Sequence, residues 1–439
     1  MRDFEIGSNH AAPAPARRRS RRWLLALLLI GALLLALFFG MRAALQPARV
    51  TALLLRQTGN ALGLQITASG VSEYRLRGTP QLVLRDVTAR EPGAETPVLR
   101  AERILVALPW STIRSRGQSL VIRRIELDAP VLNLPAYLAW QARRPTAEET
   151  RIPTLSDGLG IVRGGIQHHS WAIEDVSLAL PSLAPNKPLQ ARSSGRFDDG
   201  ANRVAFDLAI ALSAPSRRAQ LRAHGPLDIE RKDWRMRGAL HLAGPMTFVD
   251  GAFVIAPAST GYVARYLADD VDLPLRLGAH GPFAYRNGVA SYGFAALQLR
   301  GAGLIPQADA RGALAMGERL ALHLQGALVN WPQAWPALPP PLGASDSPLP
   351  FALDYLGRSD LSAPLQLHVR RDQTVFDARL RLPQMLAWID QTAQGSPIPP
   401  LQGQLRTPEL EIAGARLHDV QLQIDDPGVD LAPATPPTP

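Results

Sequence analysis

Along most of the chain, apolar and polar residues alternate with a period of two. Phe206, Leu208, Ile210 and Leu212 alternate with Asp207, Ala209 and Ala211, and Leu320, Leu322 and Leu324 with Ala321, His323 and Gln325. Leu365, Leu367 and Val369 alternate with Gln366, His368 and Arg370. The same holds for Phe376, Ala378, Leu380 and Leu382 against Asp377, Arg379 and Arg381, and for Val420, Leu422 and Ile424 against Gln421 and Gln423. A two-residue period means strands with one apolar and one polar face. Turn residues separate the runs, as at Asp199-Gly200 and Asn287-Gly288. Helical spacing is confined to Ala48–Ala61, Ala136–Arg143, Tyr262–Ala268 and Gln384–Thr392. The pattern predicts a mainly β protein.

Short repeats favour one sheet of similar units. Ala-His-Gly-Pro occurs at 223–226 and 279–282, and Arg-Gly-Ala-Leu at 237–240 and 311–314. A hydrophobic-x-Asp-Val element ends at Val87, Val176 and Val420. His224 and His280 read as turn residues within their repeats. Trp331–Pro350 is too proline-rich for a central strand and reads as a loop or an insertion covering a sheet edge.

Trp23–Phe39 is uninterruptedly apolar and the run continues through Gly40 and Met41. About 19 residues at 1.5 Å each cover roughly 28 Å, the thickness of a bilayer core. Arginines 17, 18, 19, 21 and 22 precede it and only Arg42 follows directly, which places the N-terminus in the cytoplasm and the rest outside. Met41-Arg42-Ala43-Ala44 is a poor signal-peptidase site. The expected organisation is a cytoplasmic tail (1–22), a transmembrane anchor (23–41), an exported β domain (42–424) and a proline-rich tail (425–439).

Charge changes this picture little. Of the formal +9, residues 1–22 contribute six arginines against Asp3 and Glu5, so the exported part is only weakly basic and no nucleic-acid partner is implied. There is no cysteine, hence no disulfide and no thiol chemistry. No phosphate-binding, dinucleotide or hydrolase motif is present. The pair His168-His169 would point to opposite faces of a strand, which disfavours a shared metal. Asp198-Asp199, Asp269-Asp270 and Asp425-Asp426 read as turn residues. We therefore expect no enzyme, no cofactor and no metal. A long sheet with one apolar face must bury it in a sandwich, close it, or hold something apolar against it, and composition leaves these open.

Leu55-Arg56-Gln57-Thr58-Gly59 and Leu64-Gln65-Ile66 read as a helix ended by a glycine and a first strand, and Pro80–Val87, Pro97–Ile104, Ala107-Leu108-Pro109-Trp110 and Ile125–Leu134 follow. In order and spacing these segments resemble the AsmA family of bacterial envelope proteins, and Leu401–Ile424 resembles its closing pattern. The resemblance implies an elongated, twisted antiparallel β-sheet forming a hydrophobic groove, as in the TamB-related bridge-like lipid-transfer superfamily. It further implies a bacterial inner-membrane, single-pass, periplasmic protein that carries phospholipid or another acyl-chain lipid, works with other envelope proteins and supports outer-membrane lipid homeostasis and biogenesis. The alternative is a non-enzymatic assembly or scaffold factor for outer-membrane proteins or secretion machinery. The groove candidates are Phe206, Leu208, Ile210, Leu320, Leu322, Leu324, Leu365, Leu367, Val369, Phe376, Leu380, Leu422 and Ile424.

Overall fold

The computed structural model describes Gly59 and the residues from 62 to 426, apart from 70–72, 76–77, 115–120, 144–153, 215–217, 250–251, 287, 336–337, 339–341, 391–398 and 413–414. The expected tail and anchor (1–41), the helix over 48–61 except Gly59, Asn287, and the chain after 426 lie outside the described residues. No helix among the described residues is long and apolar enough to cross a membrane. The chain divides after Leu62, and the whole sheet belongs to the unit from Gly63 to Pro439.

Both β1 (Gln65–Ala68) and β2 (Glu73–Arg75) pair with one side of β3 (Gln81–Arg90), and β4 (Leu99–Ala107) pairs with the other. After helix α1 (Trp110–Arg114) and β5 (Val121–Ile122), β6 (Arg124–Asp128) and β7 (Val131–Asn133) share the free edge of β4. Helix α2 (Leu134–Ala142) and β8 (Thr154–Leu155) lead to β9 (Leu159–Gln167), which pairs in parallel with β6 and β7. The sheet is therefore mixed, which corrects the expectation of a wholly antiparallel one. Parallel neighbours need a long crossover, and α2 lies within it. Asn133 caps that helix by accepting the Ala136 N–H at 2.9 Å, with Pro135 in its first turn.

From β9 the chain meanders, each strand antiparallel to the next. The strands are β10 (Ala172–Leu180), β11 (Leu189–Asp198), β12 (Arg203–Leu212), β13 (Arg218–Glu230), β14 (Arg235–Val249) and β15 (Ala252–Ala268). Then come β16 (Val271–Arg286), β17 (Val289–Gly301), β18 (Gln307–Met316), β19 (Leu320–Asn330) and β20 (Leu349–Gly357). Last are β21 (Leu365–Arg371), β22 (Thr374–Leu380), helix α3 (Leu382–Asp390), β23 (Leu401–Ile412) and β24 (Ala415–Asp425). The helix expected at Tyr262–Ala268 is the end of β15. Tyr262, Ala264 and Tyr266 obey the two-residue period there, and strands on both sides claim the backbone.

The sequence repeats are irregularities within strands. Asp86, Asp175 and Asp419, of the three Asp-Val elements, all have positive φ (50°, 53° and 53°), and the pairing ladder skips each. Aspartate tolerates that conformation better than most residues. The Ala-His-Gly-Pro repeats lie inside β13 and β16, so His224 and His280 are strand residues and not turn residues. Gly225 and Gly281 have φ of 151° and 149°. An irregular ladder is also where a proline, lacking its N–H, is tolerated in a sheet. The aspartate pairs at 198–199 and 269–270 do sit at hairpin turns, with Asp199 accepting from the Ala201 and Asn202 N–H groups.

Distant turns of the sheet meet. The Ser359 hydroxyl, after β20, donates to Asp199, after β11, at 2.8 Å, and Arg231, after β13, donates to the Asp360 carbonyl at 3.2 Å. Neighbouring strands rotate by about 20–25°, so the eight steps from β12 to β20 amount to about half a revolution and bring these turns together. Burial pushes the Asp199 carboxyl up, but hydrogen bonds from Asn202, Ser359 and Ala201 outweigh it and hold the group below its ordinary value. A carboxylate so depressed stabilises the fold fully above its unfolded value of about 3.9, and the contribution is lost as pH falls through the folded value. Stability to urea should therefore drop below about pH 4, and Asp199→Asn should remove part of that drop. An identical acid limb in the variant would show that Asp199 has no such role.

Candidate functional site

Residues paired across antiparallel strands share a face, so the register identifies the members of each face. From Phe206 and Ile210 in β12 the pairing runs to Leu227 and Ala223, then to Leu242 in β14, Thr260 in β15 and Ala279 in β16. It continues through Leu297 and Ala310 to Gly326 in β19, Phe351, Val369, Phe376, Leu405 and finally Leu422 in β24. One apolar face thus spans thirteen consecutive strands. All thirteen groove candidates lie on it. The other sheet among the described residues is the two-stranded β5–β8 pair, too small to cover thirteen strands, and Ile255 is the one large side chain of this face with almost no exposure.

The candidates are not equivalent. Leu365, Leu367, Phe376 and Ile424 pack around Ala378, Leu380 and Leu401 with Met385 of α3, and Leu380 is only 5% exposed. Val369, Leu367 and Phe376 also pack with Leu342, Leu338 and Trp331 from the segment between β19 and β20. That segment is the loop that was one of the two expectations, and it covers the apolar face where the other expectation had it cover a sheet edge; its last two residues begin β20. Buried Arg371 fastens it by donating to the carbonyls of Leu342 and Ser347, both at 2.7 Å. Phe206, Leu208, Leu320, Leu322 and Leu324 are half-buried and lie outside every buried cluster, while Leu422 is 41% exposed.

Several polar groups of this face are satisfied within the sheet, while the buried Arg371 Nε has no hydrogen-bond partner among the described residues. Tyr262 donates to the Leu227 and Met236 carbonyls, at 2.8 and 3.2 Å, and its hydroxyl is pushed up to about 12 by burial and then by Asp228. Tyr292 donates to the carbonyls of Ala258 and Ala279 and lies 3.0 Å from the Thr260 hydroxyl. Thr374 and Thr407 bond each other. Where its hydrogen bonds are already made, such a surface offers a ligand apolar contact and little else.

The opposite face carries charge. Cross-strand ion pairs include Arg192–Asp207, Arg237–Asp228, Arg265–Asp272 and Arg300–Asp309. His323 and His368 bond Asp354 and Asp377, at 2.5 and 2.6 Å. An open recess of about 720 Å³ on this face is floored by Ala296 and Ala352 and edged by Arg311 and Arg370. His168 and His169 sit at the turn after β9, where His168 stacks on Trp171. Among the described residues no cluster of His, Asp or Glu is placed to hold a metal ion.

The alternating runs named from the sequence fall on five of the thirteen strands of this face, and β18 and β20 show two reasons why others were missed. In β18, Ala308, Ala310, Gly312 and Leu314 face the apolar side, and alanine or glycine against alanine gives little contrast. In β20, Leu349, Phe351, Leu353 and Tyr355 do alternate, but Pro350 joins them to the proline-rich segment. Compared with protein-family models, characterised proteins and solved structures, the chain finds no match in any of the three.

Proposed function

We propose that the protein carries phospholipid, seating acyl chains on the apolar face of its sheet, as the resemblance to the AsmA family implies. The observation that supports this is a single apolar face continuous over thirteen strands without a second sheet to bury it. Burying a methylene is worth about 0.8 kcal/mol, so a 16-carbon chain in water carries a cost on the order of 10 kcal/mol that such a face relieves. In this reading Trp23–Met41 anchors the protein in the bacterial inner membrane and the sheet stands in the periplasm, serving outer-membrane lipid homeostasis. The reading calls for no catalytic residue.

The test is lipid extraction and mass spectrometry on the purified full chain. Bound phospholipid near one or more molecules per chain is the expected result. Protein that is purified empty and stays empty after incubation with labelled phospholipid would overturn the reading.

A further inference from the structure

On the charged face, opposite the proposed lipid surface, we propose that the recess between β17 and β21 binds an acidic oligosaccharide whose anionic groups are held by Arg311 and Arg370. The recess measures about 720 Å³, room for roughly two or three sugar rings. The Arg-Gly-Ala-Leu repeat shows how it comes to be cationic. In the first copy Arg237 lies opposite Asp228 and forms an ion pair with it at 3.3 Å. In the second copy Arg311 lies opposite Gln325 on one side. On its other side the β17–β18 ladder shifts between Phe294 and Leu297, so that Ala295 and Ala296 together oppose it. A bulge of this kind re-aims a side chain and is common beside binding sites.

Arg370 comes from β21, where it lies opposite Val375 of β22. Both arginines are exposed, and neither has an acidic partner among the described residues. The other charged groups lining the recess are engaged: Asp309 accepts from Arg300 at 2.6 Å, and His368 bonds Asp377 at 2.6 Å. Two positive charges are therefore left uncompensated. Three strand steps and two residues separate the two arginines, roughly 16 Å between Cα atoms on a flat sheet. That spacing suits charges on neighbouring units of one ligand better than a single small ion. Gln298 and Gln325 line the recess with amides that make no side-chain hydrogen bond among the described residues. An amide both donates and accepts, which matches a pair of sugar hydroxyls. A second recess of about 620 Å³ adjoins the first, shares Ala352 and His368 with it, and adds Gln366 and Gln402. A bound peptide would draw on a free strand edge or on apolar pockets, whereas β17 to β21 are each paired on both sides.

The full chain in non-ionic detergent and about 0.1 M salt, where charges more than about 10 Å away are screened, would be titrated calorimetrically. The probes are trigalacturonate, uncharged maltotriose and a capped triglutamate peptide with the same number of carboxylates. Trigalacturonate should bind the tightest of the three. Arg311→Gln with Arg370→Gln should weaken it about fivefold to tenfold. Arg222→Gln with Arg286→Gln removes the same charge from the same face outside the recess, and should leave the affinity within about twofold. All four arginines are exposed, so urea midpoints should hold, and phospholipid binding on the other face should be unchanged in both double variants. A wild-type chain that does not bind trigalacturonate, an equal loss in the two double variants, or equal affinity for the peptide would overturn the proposal and leave the lipid reading untouched.

Discussion

Ile255→Ala is expected to destabilise the protein by about 3–5 kcal/mol, the upper range for truncating a buried aliphatic side chain. Ile255 has no exposed surface and packs with Leu221 and Ala258 among Leu242, Met246, Phe253 and Phe283. It pairs across the sheet with Met246 on one side and Phe283 on the other, so its removal weakens three strands together. Relaxation into the space is limited: Gly244 has no side chain to move, and a Cβ there would already stand 2.6 Å from the Ile255 side chain. Leu422→Ala, at a site 41% exposed, should cost below about 1 kcal/mol. Urea unfolding of the two variants measures the contrast. A loss at Ile255 no larger than that at Leu422 would mean that this cluster does not hold the middle of the sheet.

The same cluster bears on what a single-layer sheet must solve. Apolar side chains cannot be covered by a partner sheet, so they cover one another where the sheet curls, or are covered by loops. The face is thus divided into patches closed by its own curvature, patches closed by Met385 and the β19–β20 segment, and a stretch that neither closes.

Much of this face was legible in the sequence because a two-residue period is local: neighbours in the chain alone determine that Leu320, Leu322 and Leu324 point the same way. That these share a face with Phe206 and Ile424, over a hundred residues away on either side, depends on register, which only pairing reveals. The parallel seam of β9 was not legible, since β6 and β7 carry the same alternation in either direction. Nor was the fate of Trp331–Pro350. Its prolines keep it out of a strand until Leu349, where β20 begins, but whether such a segment covers an edge or a face depends on Arg371, forty residues from its start. Among the groove candidates, Leu380 alternates as cleanly as Leu322, yet one is core and the other partly open. Burial of that kind comes from what lies above a residue, and alternation carries no record of it.

The largest backbone effect is expected within β16, where two glycines three residues apart should respond oppositely to alanine. Gly281 has a φ of 149°, and a Cβ there would stand 1.9 Å from the Gly293 carbonyl oxygen of β17. Strain of about 1–3 kcal/mol for such a φ adds to about 1–3 kcal/mol for the forced shift, so Gly281→Ala should cost about 3 kcal/mol or more. Gly278 has ordinary strand geometry and nothing within 4 Å of a Cβ. Gly278→Ala should be neutral or stabilising by up to about 1 kcal/mol through the unfolded chain. The consequence reaches the apolar face. Opposite Gly281 the β16–β17 ladder shifts between His280 and Phe283, and this is why Tyr292 and Leu297, five residues apart, both lie on that face. In a regular strand residues five apart point to opposite sides. Loss of the kink in Gly281→Ala would turn either the aromatic half or the leucine half of β17 to solvent, so the proposed lipid binding should fall along with stability. Equal urea midpoints for the two alanine variants would show that β16 and β17 accommodate a side chain at the kink, and the shared face would need another explanation.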